Sequence, residues 1–396
     1  MPNWESFDAF LREAEQTPVD QRQELVDALL RERLDWPWVQ GKRATFIYVS
    51  MGAQHVALNL DTIERDPPFA PMAHLDGTTL WHVTGEFEED DLLDYLLAID
   101  DPLTPLATER DMVGRIARHW RVDPLNTTRM NTAQMNVSVL RMGKARPFPD
   151  WSKFNQVKRG KITEHSIDSM QLGFTGRKLW VYTPPDYETS GQGMMYPLLI
   201  FQDGQWGVGP LQIPHIADAL IKHGHMQPVI IAMTQSGDQK DRIKNFVSND
   251  RHYTHILTEL LPFLQTQYRI DSADLGVGGV AVGGQRVAAL KNPAVFNHLI
   301  LISPPLGKGI AQEQLRTYAG RFKDARVLPG RIFQSVGRYE TRSRFYLPAQ
   351  VLNRILSQRP DVAYQYIEIG SGHGLVGFRS VLPEALSWIF PGENTT

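Results

Sequence analysis

One short stretch of the chain decides its fold class: residues 275–284 read Leu-Gly-Val-Gly-Gly-Val-Ala-Val-Gly-Gly. The apolar residues up to Val280 are typical of a buried strand, and the glycines around them allow a turn too tight for larger side chains. A strand-to-helix turn of this kind carries a reactive serine in the pattern Gly-x-Ser-x-Gly. Here the pattern reads Gly279-x-Ala281-x-Gly283, so the flanking glycines are present and the hydroxyl is absent.

Around this stretch, apolar strands alternate with helices. Near-continuous apolar strands separated by helices predict a parallel sheet that is covered on both faces. In such a sheet the chemistry collects at the carboxyl ends of the strands. The predicted hairpin spans 162–168 and 177–183, the later strands 197–201, 229–233, 275–279, 299–303, 332–336 and 364–369, and the helices 213–223, 253–268, 347–357 and a closing one that ends at 390.

The first 150 residues follow a different pattern. Helical spacing over 4–14 and 18–34 predicts two leading helices, and short β-rich runs at 45–49, 55–60 and 79–83 predict a small Ig-like sandwich. Residues 91–99 fit either a strand or a short helix, and the Pro-, Asn- and charge-rich text over 100–151 predicts a linker. The sequence therefore predicts an N-terminal domain over 1–150 and a second domain over 151–396.

Composition excludes several classes of function. The 396 residues carry 41 Lys+Arg and 44 Asp+Glu, a formal net charge of −3, which gives no electrostatic footprint for nucleic acid or an anionic membrane. The chain has no cysteine, so a disulfide, a thiolate metal site and a thiol nucleophile are excluded. We expect no metal and no cofactor. The first residues lack a secretory signal and no apolar stretch is long enough to span a membrane, so the default expectation is a cytoplasmic protein.

Two further loops complete the expected constellation. Glu340 lies on a loop after one predicted strand, and His373 lies between glycines after the next one. A nucleophile, an acid and a histidine in this chain order are typical of α/β hydrolases. The first member is Ala281, the position of the missing nucleophile.

Several motifs together resemble one family, the enterochelin (enterobactin) esterases. Residues 199–206 look like that family's strand ending in Asp-Gly-x-x-Trp, and 242–249 resemble its Arg-x-x-Glu-Leu-x-x-Asn block. Residues 259–262 read Glu-Leu-Leu-Pro, as in its helix. The Gly-His loop at 372–373 with Phe378-Arg379 also fits, and upstream 100–106 and 123–126 look like the tail of its N-terminal sandwich.

The resemblance implies an α/β-hydrolase domain preceded by a β-sandwich, and carboxylic esters or siderophore-like small molecules as ligands. It assigns Glu340 and His373 as the acid and the base. The backbone N–H of Val282 and a donor near Gln205 would form the oxyanion hole. The residues expected to shape the ligand pocket are Asp203, Trp206, Arg242, Asn245 and Asn249; for Arg242 the alternative is a surface ion pair.

The departures from the family fall around the reactive centre. Ala281 replaces the serine, Asn245 replaces the family's glutamate, and Gln285-Arg286 stand where small apolar residues usually pack. Two accounts of Ala281 stay open, a natural loss and an engineered Ser-to-Ala replacement. Three serines near the expected site could in principle act as a relocated nucleophile. We expect them to be turn or cap residues instead: Ser236, Ser303 and Ser371.

Three classes of function follow from the sequence. The first is ester hydrolysis in which a residual Glu340-His373 dyad acts on water or on a substrate proton. The second is a pseudoenzyme that binds the ester without turnover. The third is a structural or partner-binding role with the cleft filled by Gln285 or Arg286. Homo-oligomerisation stays open in all three.

Overall fold

The computed structural model describes residues 4–132, 135–246, 250–283, 293–306 and 318–394. The chain forms two compact units, one of residues 1–147 and 370–377 and one of residues 148–369 and 378–396. Gln285, Arg286 and Asn249 lie outside the described residues. The first unit therefore includes the loop that carries His373, although that loop is distant in sequence.

The first unit contains two antiparallel sheets and leading helices. One sheet has the order β1-β2-β6-β5 and the other β4-β3-β7-β10-β9, with β8 beside β7. Phe46 of one sheet packs edge-on against Tyr95 of the other, with ring centroids 4.9 Å apart. The elements are α1 (Phe7–Gln16), α2 (Arg22–Glu32), β1 (Trp38–Gln40), β2 (Arg43–Val49), β3 (Val56–Leu60), β4 (Phe69–Pro71), β5 (Ala73–His74), β6 (Leu80–Glu86), β7 (Leu92–Ile99), α3 (Met112–His119), β8 (Trp120–Arg121), β9 (Arg129–Asn131) and β10 (Asn136–Arg141).

Two sequence interpretations are resolved in this unit. The ambiguous segment 91–99 is a strand, β7, which pairs with β3 and β10 inside its sheet. The predicted linker over 100–151 is wrong, because this segment contains α3 and the strands β8 to β10. Val139 and Leu140 of β10 are buried, and such short strands amid polar text give little periodic signal.

A buried ion pair stabilises the segment 100–151, which the sequence predicts to be a linker. Arg115 on α3 donates from Nε to Asp101 Oδ2 at 2.9 Å and from Nη2 to Asp101 Oδ1 at 2.5 Å. The Arg115 side chain is 2% exposed and that of Asp101 is not exposed. Trp120 donates its indole N–H to the same carboxylate at 3.0 Å. Removing one partner of such a pair would leave a charge in the protein interior without compensation.

We therefore expect Arg115→Met to lower the free energy of unfolding of the N-terminal unit by about 3–5 kcal/mol, because Asp101 would stay buried without its cation. Urea denaturation measures this. Arg118→Met is the matched control on the same helix, since Arg118 and Asp111 are about 60% exposed (61% and 62%) and separated by 3.4 Å. It should cost less than about 1 kcal/mol. Equal losses in the two variants would contradict the role given to the buried pair.

The second unit is built on one eight-stranded sheet with the order β11-β12-β14-β13-β15-β16-β17-β18. Strands β14, β13, β15, β16, β17 and β18 run parallel, and the β11-β12 hairpin adds antiparallel strands at one edge. The strands are β11 (Lys161–Ser169), β12 (Phe174–Thr183), β13 (Tyr196–Gln202), β14 (Ile230–Thr234), β15 (Ile270–Val280), β16 (His298–Ile302), β17 (Arg331–Gly337) and β18 (Ala363–Ile369), and the helices are α4 (Gly204–Val208), α5 (Ile213–Lys222), α6 (Gln239–Phe246), α7 (Asp250–His255), α8 (Leu261–Gln267), α9 (Tyr318–Asp324), α10 (Leu347–Leu356) and α11 (Leu375–Ile389).

This architecture confirms the α/β class that the sequence predicts. Every residue of β13 and β14 is buried, as expected for parallel strands with both faces covered. The loops after β13, β15, β16, β17 and β18 all leave the same carboxyl edge of the sheet. Within the described part of the chain, no helix combines the length and apolar character needed to cross a bilayer.

Candidate active site

Three neighbouring strands end in the same unusual backbone conformation. The residue directly after β13 is Asp203 (φ +60°), the one after β15 is Ala281 (φ +48°), and the one after β16 is Ser303 (φ +49°). Left-handed backbone is costly for residues that have a Cβ, and such strain concentrates at functional sites. The carboxyl edge of this sheet therefore holds a row of strained positions, and the reactive turn is the central one.

The turn at Ala281 leaves strand β15 through left-handed backbone, at the position where the sequence predicts a nucleophile elbow. The strand β15 ends at Val280, and residues 281–283 form a single helical turn. Ala281 is 8% exposed and Val282 is 5% exposed. A Cβ added at Gly278, within the strand, would lie 2.8 Å from Cβ of Ile300 on the next strand. Small residues are therefore required where β15 passes its neighbour.

The predicted acid, Glu340, is held firmly. It follows β17 and is 3% exposed. Its Oε1 accepts hydrogen bonds from the Gly337 N–H at 2.7 Å and from the Ser303 hydroxyl at 2.5 Å. Two hydrogen bonds to one carboxylate oxygen fix the position of this side chain. Ser303 is completely buried and donates to Glu340, so its hydroxyl orients the acid and does not face a ligand.

The predicted base, His373, is exposed and lies on the loop after β18, in the Gly370–Gly377 segment of the first unit. The neighbouring Ser371 is buried, and its Oγ has no hydrogen-bond partner among the residues that the structure describes.

A buried ionic network organises the loop after β13. Asp203 is fully buried and pairs with both ends of the Arg242 fork, Nε to Oδ1 at 2.7 Å and Nη2 to Oδ2 at 2.7 Å. The Ser236 hydroxyl donates to Asp203 Oδ1. Gln205 donates from Nε2 to Ser236 Oγ at 2.7 Å and accepts from the Ser236 N–H at Oε1, at 3.2 Å. The side-chain amide of Gln205 is thus used at both ends to fix its own loop.

This network changes what Arg242 does. The sequence offered a pocket cation or a surface ion pair, and the structure shows a buried bidentate pair with Asp203. The guanidinium also lies over Trp206, 4.4 Å from the ring centroid. The sequence predicts a turn or cap residue at Ser236, whereas in the structure its hydroxyl joins Asp203 to Gln205. Its position two residues after the buried strand β14 is a weak local signal for this role. Asn245, on α6, is buried at 5% exposure.

A second polar cluster involves the Glu-Leu-Leu-Pro motif. Glu259 accepts from the Ser169 hydroxyl at 2.6 Å and from His255 Nδ1 at 2.7 Å, and its other oxygen accepts from the Met170 and Gln171 N–H groups. Burial raises the pKa of Glu259, but the hydrogen bonds from Ser169 and His255 outweigh it and hold the pKa below its usual value. Burial lowers the pKa of His255. The cluster borders a cavity of about 220 Å³ and connects the β11-β12 turn to the helical segment between α7 and α8 that contains Glu259.

Over the described ranges, no group of three or more His, Asp or Glu side chains is arranged to hold a metal ion.

Comparison with known proteins connects this geometry to a family. The family model named Esterase matches residues 175–387, which is more than half of the 396-residue chain. The chain belongs to this esterase family. The model described as Enterochelin esterase, N-terminal, matches residues 44–151. No curated protein matches the chain at a significant level.

Solved structures of esterases share the fold. The enterobactin esterase FES from Shigella flexneri, crystallised in the presence of enterobactin, is 18% identical with a TM-score of 0.71, over 88% of this chain and 92% of that one. The ferric enterobactin esterase from Salmonella typhimurium is 18% identical with a TM-score of 0.72, over 92% and 98%. At this identity the likeness establishes the fold only.

The elbow strain makes a prediction about stability. Ala281→Gly should raise the free energy of unfolding of the esterase unit by up to about 1 kcal/mol, because glycine adopts a positive φ without a Cβ clash. Denaturant unfolding measures the change. The control is Ala232→Gly in β14, a buried alanine with ordinary strand backbone, which should lose about 1 kcal/mol. Similar losses in both variants would show that Ala281 carries no strain.

Proposed function

We propose that this esterase-family protein binds carboxylic esters, either small or siderophore-like, at the carboxyl edge of its parallel sheet. One observation carries the proposal: Asp203, Ala281 and Ser303 share a strained backbone at that edge, and two of them keep polar contacts suited to an esterase site. Asp203 fixes Arg242, and Ser303 fixes Glu340. Family membership and the fold shared with enterobactin esterases supply the substrate class.

The covalent route is closed to the chain as written. The methyl group of Ala281 has no lone pair with which to attack a carbonyl, and the chain has no cysteine to replace the serine. Loss of the serine in a serine hydrolase costs about 10⁶-fold in kcat. Any remaining hydrolysis must therefore use water directly.

The proposed residual mechanism is general-base attack by water. His373 would take a proton from water as the oxygen adds to the ester carbonyl, and Glu340 would orient and stabilise the imidazolium. The backbone N–H of Val282 and a donor near Gln205 would receive the oxyanion. Collapse of the tetrahedral intermediate breaks the ester C–O bond, and the imidazolium returns its proton to the leaving alkoxide, so that acid and alcohol are released.

The remaining predicted residues receive narrower roles in this proposal. Asp203 and Arg242 act through Ser236 to hold Gln205 in place, since both are buried in the ion pair. Trp206 is half-buried and Asn245 lies on α6, and both are proposed to contact the ligand together with Asn249. Trp206 would offer an aromatic face to a catecholate ring.

A second candidate is a non-catalytic ligand-binding protein. Ala281 favours it, because the missing hydroxyl removes turnover but leaves the buried Glu340 and Asp203 networks in place. An engineered Ser-to-Ala form of an active esterase would share these properties, and an encoded serine at position 281 would identify it.

Restoring the hydroxyl tests both candidates. We expect Ala281→Ser to gain hydrolysis of aryl esters and catecholate trilactones by several orders of magnitude over the unmodified chain, because serine accepts the same elbow backbone. Hydrolysis is followed by absorbance for the aryl esters and by chromatography for the trilactones. Ligand binding to the unmodified chain is measured in parallel by calorimetry.

His373→Ala in both backgrounds is the matched control. Turnover by the unmodified chain above its His373→Ala form supports the water mechanism. Turnover only after Ala281→Ser, with saturable binding of unchanged ligand by the unmodified chain, supports the binding protein. Neither binding nor turnover in either background would overturn the proposed ester site.

A further inference from the structure

The loop that carries His373 is anchored in the N-terminal sandwich. The Gly370–Gly377 segment belongs to the same compact unit as residues 1–147. The Leu92 N–H, at the start of β7, donates to the Gly370 carbonyl at 2.7 Å. The His373 loop therefore has a direct backbone connection to the central strand of a sandwich sheet.

Carboxylates of the sandwich rest on the glycines of this loop. A Cβ added at Gly372 would overlap Asp61 Oδ2, and one added at Gly374 would lie 3.0 Å from Asp94 Oδ1. Glycine is needed where another group approaches the backbone this closely. The two glycines that flank His373 are thus the positions where the carboxyl groups of Asp61 and Asp94 contact the turn.

Asp94 is poorly satisfied as an anion. Its Oδ1 is buried and has no hydrogen-bond partner within the described ranges. Burial and the neighbouring Asp61 charge raise the pKa of Asp94 to about 7. Asp61, directly after β3, is the charged group that acts on Asp94. Asp91 at the entry to β7 accepts from the Glu88 N–H at 3.0 Å, His373 lies on the turn itself, and the strands beside β7 also carry Arg121 on β8 and Arg141 on β10.

Two carboxyl groups that face one small turn cannot both ionise without cost. We propose that Asp94 is held protonated beside the charge of Asp61, and that the two side chains clamp the Gly372–Gly374 turn and so act as positioning residues for His373. This inference rests on the proposed role of His373 as the base. When both groups are ionised, the buried charge of Asp94 lacks compensation and the turn loosens.

Hydrogen exchange of the full chain tests the clamp without any need for turnover. After correction for the intrinsic exchange rate, protection of residues 370–377 should fall about tenfold between pH 5 and pH 6 and level off above about pH 7, because a carboxyl group with a pKa of about 7 in the ordered turn and about 4 in the open chain destabilises the ordered turn between those two pH values. Asp94→Asn imitates the protonated carboxyl in shape and should keep the higher protection at both pH values. Asp94→Ala should lose protection at both.

The stability of the variants gives a second reading. Because the pKa of Asp94 is raised above its unfolded value, the folded chain binds more protons than the unfolded chain between about pH 4 and pH 7. This group's contribution to stability is therefore present at low pH and is lost as the pH rises to 7. The difference in melting temperature between Asp94→Asn and the unmodified chain should increase in favour of the variant across that window and remain positive above it.

The pH dependence of exchange gives the decisive reading. In the Asp61→Asn/Asp94→Asn double variant, protection of residues 370–377 should no longer change between about pH 5 and pH 7, because neither amide side chain takes up a proton there. Asp76→Asn, at an exposed aspartate of the same sandwich, is the matched control and should leave the pH dependence of protection unchanged. If the double variant folds and its protection varies with pH as in Asp76→Asn, the clamp is refuted, whatever the outcome of the ester assays.

Discussion

The site depends on a constraint of the backbone: the chain must leave adjacent parallel strands through turns with positive φ. Asp203, Ala281 and Ser303 all occupy left-handed conformations directly after strands that are neighbours in the sheet. Each such residue costs of order 1–3 kcal/mol, so the surrounding structure must determine it strongly. Aspartate tolerates this conformation better than most residues, whereas alanine and serine tolerate it less well.

The polar residues at two of these turns have charged partners. Asp203 holds Arg242 and, through Ser236, fixes Gln205. Ser303 donates to Glu340, which also accepts from the Gly337 N–H. Each strained turn thus aims a side chain at a buried partner and gains a charge-assisted hydrogen bond in return. Ala281 has only a methyl group, so its side chain offers no hydrogen bond to the central turn.

Much of this arrangement can be predicted from the sequence, because it follows from local patterns. Glycine spacing predicts the elbow at Ala281, and apolar strands alternating with helices predict the parallel sheet. What could not be predicted depends on contacts between distant segments. The hydroxyl of Ser303 meets Glu340 across 37 residues, and the His373 loop joins a sandwich that ends more than two hundred residues earlier. The linker prediction failed for a related reason: β8 to β10 are short, and they are ordered by pairing that their own residues do not signal, β8 and β10 with β7 and β9 with β10.

The absence of the serine hydroxyl therefore separates two properties that normally coincide. A nucleophile elbow needs strain to present its side chain, and a chain with no use for that presentation would be more stable with glycine at the strained position. Alanine at φ +48° carries this cost although its methyl group has no lone pair for attack. Under the proposed function, the strained turn contributes its backbone to an ester site, and the cost is retained for binding without covalent catalysis.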